Sequence, residues 1–319
     1  MAVSASSPLD RWVEFKREWS LGWQSMPDKR LFGALLVGWL LLFQYLGNST
    51  FGYVDTPSLF AWMDYAYSML EDDRHCRYIP LVVLALFWWK RRQLWALPKR
   101  PWWPALGMVI GALLLHLAGL MMQQTRVSIV AFFLGLYGLT GLVWGRAWLC
   151  ASFFPFVLFA FCVPLGTLAD TITFPLRMLV TNLSVGIARD GLGIDVVKVG
   201  TQIFDSQRLF NFDVAPACSG IRSLTALLAL TTIYGFVTFK AGWKRLLMVL
   251  IAAPLAVIGN VARITGVIIT ADAFGQRAGT RFHDGAGFVT FAVALACVMA
   301  LGYWLREDRQ PALAEGAAK

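Results

Sequence analysis

The chain has 319 residues, 58% of them hydrophobic and 15% charged, with a formal net charge of +9 and a mean hydropathy of +0.60. Soluble domains carry roughly a quarter charged residues, so this composition excludes an ordinary soluble globular protein. The positive balance does not indicate a nucleic-acid binder, because the basic residues cluster beside apolar runs, as they do in the inner loops of membrane proteins.

In chain order, residues 1–28 are mixed in charge, with aromatics at Trp12, Phe15, Trp19 and Trp23. This pattern predicts a short interfacial helix on the cytoplasmic side, not a cleavable signal peptide. A transmembrane helix needs about 20 apolar residues. Eight apolar spans follow: Leu31–Leu46, Tyr78–Trp89, Trp103–Met122, Val127–Gly145, Trp148–Gly166, Cys218–Thr238, Leu246–Ala271 and Gly285–Leu305. The second is short; it extends back through the polar residues before it or is partly re-entrant. The predicted fold class is an all-α polytopic membrane protein with about eight transmembrane helices. Residues 29–309 form one transmembrane domain, and the Ala-rich residues 310–319 form a flexible cytoplasmic tail.

Lys29, Arg30, Lys90, Arg91, Arg92, Lys99, Arg100, Arg146, Lys240, Lys244, Arg306 and Arg309 fall on one side if both termini are cytoplasmic. The other side carries fewer basic residues, mixed with acids, as at Asp72, Asp73, Arg74 and Arg77. Eight spans with both ends inside satisfy this asymmetry. The longest connection, Thr167–Ala217, is then on the outer side. In Asp170–Arg189, the residues Ile172, Leu176, Leu179, Val180, Leu183 and Ile187 recur at helical spacing and predict an amphipathic helix on the membrane surface. Gly193–Val214 is rich in Val, Ile, Phe and Asp and reads as one or two short strands, a small β-hairpin.

Five cysteines, at 76, 150, 162, 218 and 297, show no metal-ligand spacing. Cys150, Cys162 and Cys297 lie in apolar runs and read as packing residues. His75 and Cys76 read as an exposed pair, since two ligands do not make a metal site. His116, alone in mid-span, reads as a packed residue making a polar contact. No cofactor or metal is called for.

Three residues stand apart. Arg263 lies about eight residues inside the outer end of its span, roughly 12 Å deep. A guanidinium at that depth needs a polar cavity or a partner, and Asn260 lies one turn earlier on the same helix face. A structural clamp between helices is the alternative for this pair, and a functional role is favoured because ionisable groups inside a membrane are functional by default. His283 sits in Phe282-His-Asp-Gly-Ala-Gly-Phe288, at the outer start of the last span, where a helix-capping role is the plainer alternative. Cys218 follows Pro216, a residue suited to a first helical turn. A thiol at a helix N-terminus has its pKa lowered by the dipole. Ser219 and Gly220 adjoin it, Gly220 permits close backbone approach, and Arg222 lies one turn on. With both termini inside, Cys218 and His283 share the outer boundary and Arg263 lies just below it; with the termini outside, all three fall on the inner side. A Cys–His pair is a nucleophile–base arrangement, and a guanidinium can stabilise an oxyanion.

The stretch Ala217-Cys-Ser-Gly-Ile-Arg-Ser-Leu224 resembles the cysteine motif of the exosortase/archaeosortase family. Asn260-Val-Ala-Arg263 resembles its arginine motif, and Phe282-His-Asp-Gly-Ala-Gly-Phe288 its histidine motif, in the family's order. Pro164-Leu-Gly166 is a further similarity. The likeness covers about residues 153–305; the first half matches less, since Tyr67-Ser68 is not followed by the family's His-Gly and His75 is displaced. The resemblance implies a membrane cysteine protease or transpeptidase of a prokaryotic inner membrane. Its partners would be exported proteins ending in a sorting signal: a motif such as Pro-Glu-Pro, a transmembrane helix and a basic tail. It further implies Cys218 as nucleophile forming a thioester, His283 as proton carrier, Arg263 as oxyanion donor, an unidentified acceptor or water, and a link to exopolysaccharide and surface display. Membrane lipids are the other expected partner. A transporter or flippase using Arg263 and Asn260 as a polar path is the alternative from another class, and a non-catalytic scaffold is a third.

Overall fold

The computed structural model describes residues 8–24, 26–50, 54–69, 71–166, 168–206, 210–213 and 221–306. The chain divides into two compact units, Met1–Pro164 and Leu165–Lys319.

In the first unit, α1 (Pro8–Gln24) supplies the expected N-terminal helix, followed by α2 (Lys29–Leu46), α3 (Leu59–Met69) and a 3-10 turn at Glu71–Tyr78. Then come α4 (Ile79–Ala96), α5 (Ala105–Met121), α6 (Thr125–Trp144) and α7 (Arg146–Val157), which tightens into a 3-10 segment at Leu158–Cys162. The second predicted span is longer than expected, because α4 runs on through Lys90, Arg91 and Arg92. Lys and Arg are good helix formers, and the apolar count stops before the helix does. Glu18 of α1 pairs with Arg91 and Arg92 of α4, Trp19 stacks on Trp88, and Phe15 meets the same ring at a tilt. These contacts fasten α1 to α4.

The core of this unit is aromatic. Trp39, Phe43, Phe132 and Tyr67 are buried together. Trp39 donates Nε1 to the Phe132 carbonyl at 3.0 Å, which satisfies an indole N–H that would be costly to bury unpaired. His116, 5% exposed, lies 4.6 Å from the Phe43 ring and places Nδ1 2.9 Å from the Ser128 hydroxyl. Ser128 in turn meets Ser49 at 3.1 Å. The expected packed histidine with a polar contact is therefore seen.

Two cysteine readings need correction. Cys76 is buried, and burial pushes its thiol up to about 12. Its Sγ does lie 3.7 Å from His75 Nε2, but the pair is not an exposed one, because Cys76 is buried in the aromatic core with Tyr67. Cys162 is buried as expected, but Cys150 and Cys297 are exposed. An apolar run in a membrane protein has an outward face as well as a packed one, and hydropathy does not separate them.

The second unit begins with α8 (Leu168–Gly186) and a π-turn at Ile187–Gly191. Its apolar residues do not all point the same way. Val180 is buried with Thr173, Arg177, Thr181 and Ser184, while Leu179, Leu183 and Ile187 are exposed. The buried face packs on a later helix, so the outer apolar stripe is the one left for lipid. Small polar residues suit such a helix interface.

Three strands follow: β1 (Val196–Val199), β2 (Gln202–Asp205) and β3 (Asn211–Asp213). They form one antiparallel sheet in the order β1-β2-β3. The β1–β2 hairpin turns at Gly200-Thr201, with Gly200 at φ 62°, and pairs Val196 with Asp205 through Val199 with Gln202. The expected hairpin is thus accompanied by a third strand, only three residues long and too short to show a period. Val196, Ile203 and Phe210 form the sheet's buried side.

The last helices are α9 (Ile221–Thr238), α10 (Gly242–Phe274) and α11 (Gln276–Trp304). Among the described residues, α2, α6, α10 and α11 are long and apolar enough to cross a membrane, and shorter apolar helices span 105–121, 146–162 and 223–238. The chain is a predominantly helical membrane protein with a small sheet.

Candidate active site

One residue joins the two longest helices. Gly275 ends α10 and starts α11 at φ 82°, a backbone region that L side chains rarely adopt. Its N–H closes α10 on the Ala271 carbonyl at 2.8 Å. α11 therefore turns back at once along α10. A second glycine sets their spacing: a Cβ on Gly266 would lie 2.6 Å from the Phe282 ring. That close approach brings the residue after Phe282, His283, to the face of α10 that carries Arg263.

The Arg263 Nη2 lies 2.6 Å from His283 Nε2. A guanidinium only donates, so Nε2 accepts and cannot itself carry a proton in this arrangement. The imidazole is then neutral, with its proton assigned to Nδ1. Nδ1 lies 3.4 Å from the Asp284 carboxylate, which is mostly exposed. The guanidinium also passes over Gly287, one turn beyond His283, where a Cβ would sit 3.5 Å from Arg263 Cζ.

Below this pair is a cavity of about 20 Å³ lined by Ser223 and Leu227 of α9, Gly259, Asn260 and Arg263 of α10, and Thr290, Phe291 and Ala294 of α11, among others. That volume holds about one water, and four of the lining side chains are polar. Asn260 is 5% exposed and lies on the Arg263 face, as the i, i+3 spacing predicts.

Two sequence expectations about position change. α10 runs to Phe274, so Arg263 lies eleven residues from its end, not eight. α11 begins at Gln276, which puts His283 two turns inside the helix instead of at its cap. The cause is the same in both places: Asp272, Gln276, Arg277 and Arg281 lower the local hydropathy without interrupting the helix.

Cys218, Ser219 and Gly220, with Pro216, lie outside the described residues. Arg222 is in the first turn of α9. No group of three or more His, Cys, Asp or Glu able to hold a metal occurs among the described residues. Three site residues escaped the sequence reading as participants: Ser223, Asp284 and Thr290. Thr290 was accessible in principle, since it lies seven residues after His283 and so on the same helix face. Ser223 was not, because its inclusion depends on how α9 rotates.

Apolar helices enclosing a paired guanidinium and imidazole define an integral membrane protein with a polar site between its last helices. Residues 62–300, about three quarters of the chain, match the family model described as transmembrane exosortase. The chain belongs to that family. No curated protein and no solved structure matches it.

Proposed function

We propose that this protein is an integral-membrane cysteine protease or transpeptidase that cleaves the C-terminal sorting signal of exported proteins. The observation that carries the reading is the 2.6 Å contact between Arg263 and His283, two residues whose surrounding stretches resemble the arginine and histidine motifs of the family to which the chain belongs.

The proposed chemistry follows from the groups. His283 Nε2 has a lone pair, so it can take the Cys218 thiol proton. The thiolate attacks the scissile carbonyl, and the developing oxyanion becomes a better acceptor for Arg263 than the imidazole was, because it carries full charge. The protonated His283 gives its proton to the leaving amine as the thioester forms. Water or an acceptor nucleophile, then deprotonated by His283, resolves the thioester and regenerates the thiol. Asn260 and the water-sized cavity support the guanidinium from below, while Ser219, Gly220 and Arg222 are supporting residues beside the nucleophile.

The substrate signal is proposed as a motif of the Pro-Glu-Pro type, a transmembrane helix and a basic tail, in a system linked to exopolysaccharide and surface display. The proposed topology has eight crossings, by α2, α4, α5, α6, α7, α9, α10 and α11. It places both termini in the cytoplasm of a prokaryotic inner membrane and the site at the outer face. A transporter using Arg263 and Asn260 as a polar path is the second reading, and substrate-dependent flux in liposomes that survives Cys218→Ala would favour it.

Co-expression of a tagged substrate with wild type and with Cys218→Ala tests the reading. Processing should fall to background in the variant, and unchanged processing would remove Cys218 as the nucleophile. Intact-mass analysis of the product separates release by water from transfer to an acceptor.

A further inference from the structure

The sheet of the second unit ends on β3, and the free edge of β3 is not bare. Gln276, the first residue of α11, accepts the Asn211 backbone N–H on Oε1 at 2.8 Å. It donates Nε2 to the Asn211 backbone carbonyl at 2.9 Å. One primary amide thereby makes both hydrogen bonds that a neighbouring strand would make to Asn211.

The register fixes what this means. Phe212 is paired with Ile203 of β2, and the Phe210 carbonyl accepts from the Asp205 N–H at 3.3 Å, so residues 210 and 212 face β2 and the N–H and C=O of Asn211 and Asp213 point away from it. Gln276 answers those of Asn211. The first turn of α11 is held at this place by packing, since a Cβ on Gly279 would lie 2.7 Å from the Phe212 ring. Gln276 itself is exposed, and its side chain can swing aside while the turn stays. The edge also leads to the proposed nucleophile: Asp213 is five residues before Cys218 in sequence.

We propose that the free edge of β3 receives an extended segment of the substrate as an added strand, and that the Gln276 amide is a stand-in that the substrate displaces. This rests on the sorting-enzyme reading and specifies how that enzyme would hold a peptide. Two bonds to Gln276 are exchanged for two to the peptide, so the exchange at Asn211 is close to neutral. Net affinity comes from continuing the ladder at Asp213 and from side-chain contacts on alternate residues. A peptide bound this way is straight and presents every second backbone amide to the enzyme.

The test uses the full-length Cys218→Ala protein, which halts turnover, and a synthetic peptide covering the substrate segment just before its transmembrane helix. Single backbone N-methyl groups are placed along the peptide. Binding should fall about tenfold or more at alternate positions and change less than about twofold at the positions between. A flat or non-alternating profile overturns the proposal. The protein-side arm is Gln276→Ala, which should bind the unmodified peptide at least about twofold more tightly. Equal or weaker binding overturns the displacement. Gln276→Asn, whose shorter stem withdraws the amide, should reproduce Gln276→Ala if folding is intact. Processing that survives Cys218→Ala removes the enzyme reading and this proposal with it. Cys218-dependent processing with a flat N-methyl profile removes this proposal alone.

Discussion

Each unit of the chain has a histidine inside an apolar helix, and the two are differently employed. His116 in the first unit meets a neutral hydroxyl, Ser128, and an aromatic face, Phe43. His283 in the second meets a guanidinium, with a carboxylate on its other side. A hydroxyl can donate or accept, so it satisfies an imidazole in either tautomer and holds the fold together. A guanidinium only donates, so it dictates which nitrogen keeps its lone pair. The lesson is that the partner's hydrogen-bonding capacity, more than depth or burial, separates a structural histidine from one prepared to accept a proton.

The strongest way to break this contrast is to remove both rings in turn. His283→Ala should lower kcat for substrate processing roughly 10²–10⁴-fold, the usual worth of general acid–base catalysis. His116→Ala should leave kcat within about twofold but cost about 1–3 kcal/mol of stability, because Ser128 loses one of its two partners and the ring packed on Phe43 leaves a void. Processing assays and thermal melts in detergent check both, and the reverse pattern would invalidate the assignment. Arg263→Lys sharpens the contrast next. It keeps the charge and loses the planar fork, and kcat should fall about 10²–10³-fold with protein level unchanged.

The spacing of the hairpin offers a smaller effect. Gly266→Ala puts a methyl 2.6 Å from the Phe282 ring, a strain of about 1–3 kcal/mol. It should depress the melting temperature and processing together, and Phe282→Ala in the same chain should restore part of both. The smallest effect is one of pH. Hydrogen bonds from Arg91 and then Arg92 hold the Glu18 carboxyl below the ordinary value of 4.5. The folded pKa is the lower one, so the contribution is complete above 4.5 and disappears as pH falls through the folded value. Trp19 fluorescence should report loosening of α1 on acidification, and Glu18→Gln should abolish that acid transition.

The sequence made the long apolar helices legible because membrane solvation demands them. It also made Arg263 conspicuous, since a guanidinium in an apolar run requires a partner, and that partner was findable as His283. It could not show the first two turns of α11, where Gln276, Arg277 and Arg281 look like a loop to any hydropathy measure and yet continue the helix. It could not separate Cys162 from Cys150 either, since one faces the core and the other faces out along the same run. β3 was hidden for a different reason. Three residues carry no period, and only pairing with β2 makes them a strand. Ser223 belongs to the Arg263 cavity through the rotation of α9, which neither composition nor spacing states.

Gly275 has a consequence for biosynthesis. It joins α10 to α11 with a single residue, so Arg263 and His283 belong to one hairpin and meet through short-range closure. Cys218 precedes that hairpin in the chain and is synthesised before it. On the proposed chemistry, the thiol therefore enters the membrane without its base, and gains it only when α11 folds back on α10. A nascent chain halted before Gly275 would carry the cysteine and Arg263 but not His283, and reactivity would arrive only with the completed pair of helices.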